Sequence, residues 1–121
     1  MNIVLAGAGG MSGAILRYIL SLIPLKTDFP FVTLTINILG SFAIGFINGY
    51  ALIKKPSEKL IVFLKTGVCG GFTTFSTFSL ENLKLIQNGK EFVSLIYMIT
   101  SFAGCIFGVK CGETFAQKIF L

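Results

Sequence analysis

The chain has 121 residues, of which 54% are hydrophobic and only 12% charged, with a net charge of +5 and no histidine. Soluble domains carry about a quarter charged residues, and a domain this small leaves too much surface wet to hide so much apolar area. With a mean hydropathy of +0.85, a soluble fold is excluded. The lack of imidazole removes the usual partner of a Ser or Cys nucleophile, so no enzymatic activity is expected.

A hydrocarbon core about 30 Å thick takes roughly 20 apolar residues at 1.5 Å each. Residues 1–16, 29–53, 66–80 and 92–109 contain no Asp, Glu, Lys or Arg. Four spans are therefore expected, at about 2–24, 30–53, 60–86 and 91–118, forming one all-α membrane domain over 1–121. The first lacks a basic leader and is too long for a signal-peptide core, so it is read as a mature helix. The linkers 24–30, 54–59 and 88–91 are short, with Pro56 and Asn88-Gly89 supplying turn chemistry. Connections this short make consecutive helices antiparallel neighbours. Lys54, Lys55, Lys59 and Lys118 fall on one side of the membrane, and Lys26, Lys84 and Lys90 on the other. These charges meet headgroups and water, not nucleic acid. So weak a bias suits a chain that inserts both ways up.

In the first span, Arg17 is the sole arginine. Two readings stand for it: an anchor that snorkels to the interface, or a cation in an aqueous vestibule. In the second span, Thr33, Asn37, Ser41, Gly45 and Gly49 recur every four residues as one polar-to-small stripe. Small residues at this spacing let helices approach closely. Asn37 fits that role poorly, because an amide at membrane depth needs partners for its donors and its acceptor; a pore or ligand role is the other reading.

The third span opens as a helix over 60–65 and then becomes rich in glycine and hydroxyl residues over 66–79, a poor continuous helix. Two readings again stand, a packing kink at Gly70-Gly71 or an unwound segment that faces protein or water. In the second case the carbonyls around 70–73 are candidate ligands for a hard cation. Past the break, Phe75 and Phe78 share a helix face at i, i+3. Ring edges are positive and suit a small anion; lipid-facing or core packing is the plainer alternative. In the fourth span, Tyr97, Ser101, Cys105 and Val109 repeat every four residues beside Gly104, Gly108 and Gly112. The three cysteines, Cys69, Cys105 and Cys111, lie inside spans and read as small packing residues, not as a disulfide framework.

Three segments resemble the Fluc, or CrcB, family of fluoride channels. Gly9-Gly10-Met11-Ser12-Gly13-Ala14-Ile15-Leu16-Arg17-Tyr18 is similar to its GGxxGAxxRY opening. Thr33-Leu34-Thr35-Ile36-Asn37-Ile38-Leu39-Gly40-Ser41-Phe42 is similar to its TLxVNxxGSF stretch. Gly70-Gly71-Phe72-Thr73-Thr74-Phe75-Ser76-Thr77-Phe78-Ser79 is similar to its GGxTTFSTFS signature, the most specific of the three. The resemblance implies a passive, fluoride-selective channel in the cell membrane of a prokaryote, working as an antiparallel, dual-topology dimer. It further implies two fluoride pathways and a structural sodium ion at the two-fold axis. Carried over by motif, Phe75 and Phe78 are ring-edge fluoride contacts and Asn37 a pore-lining amide. Gly70 and Thr73 then give backbone carbonyls to sodium, and Arg17 lies near the vestibule. Ser76, Thr77, Tyr97 and Ser101 belong to the polar track. Cys105 departs from the pattern, since a hydroxyl is expected there and a thiol donates weakly. Some family members pair two diverged chains. Because Arg17, Asn37, Phe75 and Phe78 are all retained, a homodimer is the simpler expectation.

Three other classes make different demands. A small multidrug transporter needs a titratable carboxylate in its first span, whereas the acids here are Glu81, Glu91 and Glu113, expected beside the spans. A non-transporting assembly subunit would be indifferent to Asn37→Asp or Phe78→Ile. A chloride channel needs a wider pore or fixed positive charge along the spans, where Arg17 stands alone.

Overall fold

The computed structural model describes all 121 residues and contains helices and no strand. Helix α1 is Asn2–Ser21, α2 is Phe31–Lys54 and α6 is Glu91–Phe120. Between α2 and α6 the third span, Glu58–Gln87, is assembled from four pieces. They are α3 (Glu58–Ile61), a π-helical segment (Val62–Cys69), α4 (Gly70–Phe72) and α5 (Phe75–Gln87). All four spans are long and apolar enough to cross a bilayer. Only 18 of the 121 residues are buried within the chain, and leucine, isoleucine and phenylalanine side chains cover the outside. That much exposed apolar surface belongs against lipid or another subunit.

The helix ends follow local chemistry. Ser57 caps α3 by accepting from the Leu60 amide at 3.3 Å. Lys55 adopts a left-handed conformation (φ 48°) as α2 stops, and Gly89 (φ 75°) turns the chain into α6. Helix α1 ends at Ser21, short of the expected 24, because 22–30 turns with Pro24 and Pro30. Across that turn the Asp28 carboxylate lies 2.7 Å from Lys90 Nζ.

Two tight helix pairs organise the bundle. Helix α2 runs along α6, where a Cβ on Gly45 would strike the Val109 carbonyl and one on Gly112 would strike the Phe42 carbonyl. Helix α1 runs along the π-helical segment and α4, with Gly9, Gly10 and Gly13 backbone to backbone against Gly67, Val68 and Gly71. The Gly-Gly of the opening motif is thus a packing surface for the glycines that precede the break. The second half of the third span joins the other pair through buried polar contacts. Ser94 Oγ donates to Asn82 Oδ1 at 2.7 Å, and Asn82 Nδ2 donates to the Phe78 carbonyl at 2.9 Å. The third span is therefore shared between two packing units, and the break lies at their joint.

Two features differ from the expected third span. Residues 62–69 are wider than an α-helix, with the Gly70 amide reaching back to the Lys65 carbonyl; π-helical turns of this kind occur mostly at functional sites. Gly70 and Gly71 are helical, so no kink forms there. The chain leaves the helix at Thr73 (φ −80°, ψ 156°) and Thr74 (φ −148°, ψ 119°). Contact with α1 at Gly71 holds the glycines in helix despite their low propensity, whereas the β-branched threonines accept extended geometry readily.

Gly112 and Gly104 provide an internal test of this packing. A Cβ on Gly112 meets backbone of α2, while one on Gly104 meets only the end of the Ile38 side chain. Gly112→Ala is expected to cost about 1–3 kcal/mol. Gly104→Ala is expected to be neutral or mildly stabilising, since alanine gains up to about 1 kcal/mol of helix propensity. Thermal unfolding of the two variants in detergent measures the difference.

Candidate functional site

The break at Thr73–Thr74 is held by one side chain. Asn37 Oδ1 accepts from the Thr74 amide at 2.8 Å, and Asn37 Nδ2 donates to the Thr74 carbonyl at 3.0 Å. An amide is the side chain that offers a donor and an acceptor side by side, matching the peptide it replaces. One N–H of Asn37 stays free of this pair.

The break redirects the neighbouring backbone. In an unbroken helix the Thr74 amide would serve the Gly70 carbonyl, and the Thr77 amide would serve Thr73. Here Thr74 N–H goes to Asn37, and Thr77 N–H goes to Thr74 Oγ1 at 3.1 Å as the cap of α5. The carbonyls of Gly70 and Thr73 thereby lose their helical donors. Arg17 Nε donates to the carbonyl between them, Gly71, at 3.1 Å. A guanidinium at the carbonyl end of a broken helix offsets its dipole. Arg17 is therefore half-buried and tied to the break, not a side chain reaching to the interface. Thr73 Oγ1 bonds back to the Cys69 carbonyl at 3.0 Å.

A cavity of about 340 Å³ opens beside the break. Asn37, Gly70, Thr73, Phe75, Phe78 and Ser101 line it, all singled out from sequence, together with Ser41, Cys69, Phe102 and Cys105. Ser101 Oγ is buried with no hydrogen-bond partner in the chain. A buried hydroxyl at membrane depth costs energy until something binds it. The Phe75 and Phe78 rings lie 5.3 Å apart. Phe78 is buried against Tyr97 and Phe102, while Phe75 is 70% exposed on the outside of the chain.

Four of the residues named from sequence lie off this cavity. Tyr97 is fully buried behind Phe78 and donates to Glu81 Oε1 at 2.9 Å. Ser76 is exposed, its Oγ 3.3 Å from Thr74 Oγ1, and Thr77 follows it on α5. Arg17 approaches the break from the α1 side.

Glu81 and Glu113 correct the expectation that the acids stand beside the spans. Both are half-buried within helices. Glu81 accepts from Tyr97 on one oxygen and from Thr33 Oγ1 at 3.1 Å on the other. Glu113 accepts from Asn48 Nδ2 at 2.8 Å, and Asn48 Oδ1 in turn accepts from Lys65 Nζ at 3.3 Å. The i+4 stripe on α2 led from Ser41 to Gly45 and Gly49, both of which prove to be helix contacts with α6. The polar face instead runs through Ile44 to Asn48, closer to the true helical period. Intramembrane charge was the available signal, and in sequence Lys65 and Glu113 each lie five residues from an expected span end, too near it to stand out.

A family profile described as CrcB-like protein, Camphor Resistance (CrcB), matches residues 4–113. A protein of Ruminiclostridium cellulolyticum is 45% identical, over 98% of this chain and 95% of its own length. One of Chlorobium chlorochromatii is 41% identical, over 92% of this chain and 88% of its own. An archaeal one, of Methanocaldococcus jannaschii, is 39% identical over 98% and 97%. All three bear the name fluoride-specific ion channel FluC. With four bilayer-length helices and prokaryotic relatives that are channels and not enzymes, this is a multi-pass protein of the cell membrane. The chain belongs to the CrcB-like family.

Proposed function

We propose that the chain, as one four-span unit, is a passive fluoride-selective channel that exports cytoplasmic fluoride and so lowers its toxicity. The observation that carries this reading is the cavity at the break, lined by Phe75 and Phe78, by Asn37 with one N–H outside its Thr74 pair, and by Ser101, whose buried hydroxyl has no partner. Fluoride is small and strongly hydrated, so a path must replace its water with donors at close range. Positive ring edges of Phe75 and Phe78 supply further stabilisation without a fixed charge. Ser76, Thr77 and Tyr97 extend the polar track, with Arg17 near the vestibule. Export needs no energy source: with the cell interior negative, about 2.3 kcal/mol per 100 mV drives each anion outward.

The functional form proposed is an antiparallel, dual-topology homodimer with two pores; pairing with a diverged homologous chain is the variant form. Phe75, exposed in the single chain, and the apolar outer faces supply surface for a second subunit. A structural sodium ion is proposed at the dimer centre, held by the Gly70 and Thr73 carbonyls of both subunits. Support comes from the diversion of the Thr74 and Thr77 amides, which leaves those carbonyls free for a hard cation. No cluster of His, Cys, Asp or Glu competes for that role.

Liposomes holding the purified protein should release fluoride and retain chloride; equal flux of the two halides, or none of fluoride, rejects the proposal. Phe78→Ile should slow fluoride release roughly tenfold or more, equivalent to about 1.4 kcal/mol of barrier, with the protein still folded by circular dichroism. Asn37→Asp should abolish flux, because it replaces the donor to Thr74 with an oxygen and puts negative charge on an anion path. Replacing sodium with N-methyl-D-glucamine from extraction onward should lower both the thermal stability of the dimer and its fluoride flux. Unchanged behaviour after that exchange removes the central ion from the proposal.

A further inference from the structure

The Lys65–Asn48–Glu113 network is not used by the site just described. Lys65 lies seven residues inside the start of the third span, and Glu113 seven residues before the end of α6, with Asn48 six before the end of α2. At 1.5 Å per residue all three lie roughly 10 Å in from helix ends on the same side of the bundle. A lysine at that depth ordinarily snorkels to the headgroups. Lys65 instead turns inward: its Nζ donates to Asn48 Oδ1 at 3.3 Å, and the same amide donates to Glu113 Oε1 at 2.8 Å.

Its place relative to the cavity follows from helix periodicity. Ile44 and Cys69 line the cavity. Asn48 is four residues beyond Ile44 on α2, and Lys65 four residues before Cys69 on the π-helical segment, about one turn in each case. The network thus lies one turn beyond the cavity wall, on the side opposite Glu81. On α2 a single face carries Thr33 at Glu81, Asn37 at the break, Ser41 and Ile44 at the cavity, and Asn48 at Lys65. Intramembrane charges face the bundle interior or a water-filled cavity, pair with one another, and mark ion pathways.

We propose that Lys65 is a fixed positive charge beside the fluoride path, one turn beyond the cavity, with Asn48 positioning it and Glu113 tempering its field. The ammonium raises the local concentration of a small hard anion before it sheds its water in the cavity. The inference rests on the fluoride reading above.

The test compares fluoride flux in liposomes for the unaltered protein, Lys65→Gln, Lys65→Arg and Glu113→Gln. Flux is read at about 0.01 M and about 1 M of an impermeant salt, where the Debye length falls from about 30 Å to about 3 Å. At low salt, Lys65→Gln should lower flux roughly three- to tenfold and Glu113→Gln should raise it, with Lys65→Arg within about twofold of the original. Both shifts should shrink at high salt. A merely structural network predicts losses of the same sign from Lys65→Gln and Glu113→Gln, independent of salt, and that result overturns the inference. If Lys65→Gln does not fold, the sign of the Glu113→Gln effect decides alone. No fluoride flux from the unaltered protein overturns the channel reading, whereas normal flux with same-sign losses overturns this inference only.

Discussion

A side-chain amide that takes the place of a peptide group is the contact on which the third span depends. Backbone N–H and C=O groups cannot be left unpaired at membrane depth, because no water is there to receive them. Two extended residues, Thr73 and Thr74, would strand such groups in mid-bilayer. Asn37 supplies an acceptor at 2.8 Å and a donor at 3.0 Å to Thr74, so the interruption survives without exposing that peptide to lipid. The Thr74 hydroxyl then caps α5 and fixes where Phe75 and Phe78 begin their face. With that one contact, carbonyls are freed on one side of the break and a new helix starts on the other.

Glycine contacts determine where the break falls. Helix α1 comes backbone to backbone with the third span at Gly67 and Gly71, closely enough for Arg17 to reach the Gly71 carbonyl at 3.1 Å. The second half of the span is anchored to α6 through Asn82 and Ser94. One span divided between two packing units must turn at their joint, and the cavity forms where the two halves part.

Much of this was legible in the sequence. The four spans follow from composition, since no soluble packing accommodates so much apolar surface in so short a chain. Asn37 stood out because an amide in a greasy helix needs a reason, and the reason is now its pairing with Thr74. The break itself was legible, but its position was not. Glycine propensity pointed to Gly70-Gly71, and tertiary contact with α1 overrode it. The π-helical widening over Val62–Cys69, where α1 packs at Gly67, left no mark in the sequence. A strict i+4 stripe followed α2 to Gly45 and Gly49, so Asn48 was missed; its partners Lys65 and Glu113 come from other helices, which no periodicity reveals.

The hydrogen-bond inventory around the break bears on both proposed ions. Both carboxylates inside the spans already have donors: Tyr97 and Thr33 serve Glu81, and Asn48 serves Glu113. Both oxygens of Glu81 and one of Glu113 are thus occupied by donors outside the cavity lining. Asn37 lines the cavity with one N–H outside its pair with Thr74, Ser101 with a buried, unpartnered hydroxyl, and Gly70 and Thr73 with carbonyls that have lost their helical donors. A hydroxyl can accept as well as donate, but an amide N–H can only donate, and so can a ring edge. Spare donors and spare carbonyls thus lie side by side at the break. On this view the proposed anion path and the proposed cation seat are two consequences of one event, the diversion of the Thr74 and Thr77 amides out of the helix ladder.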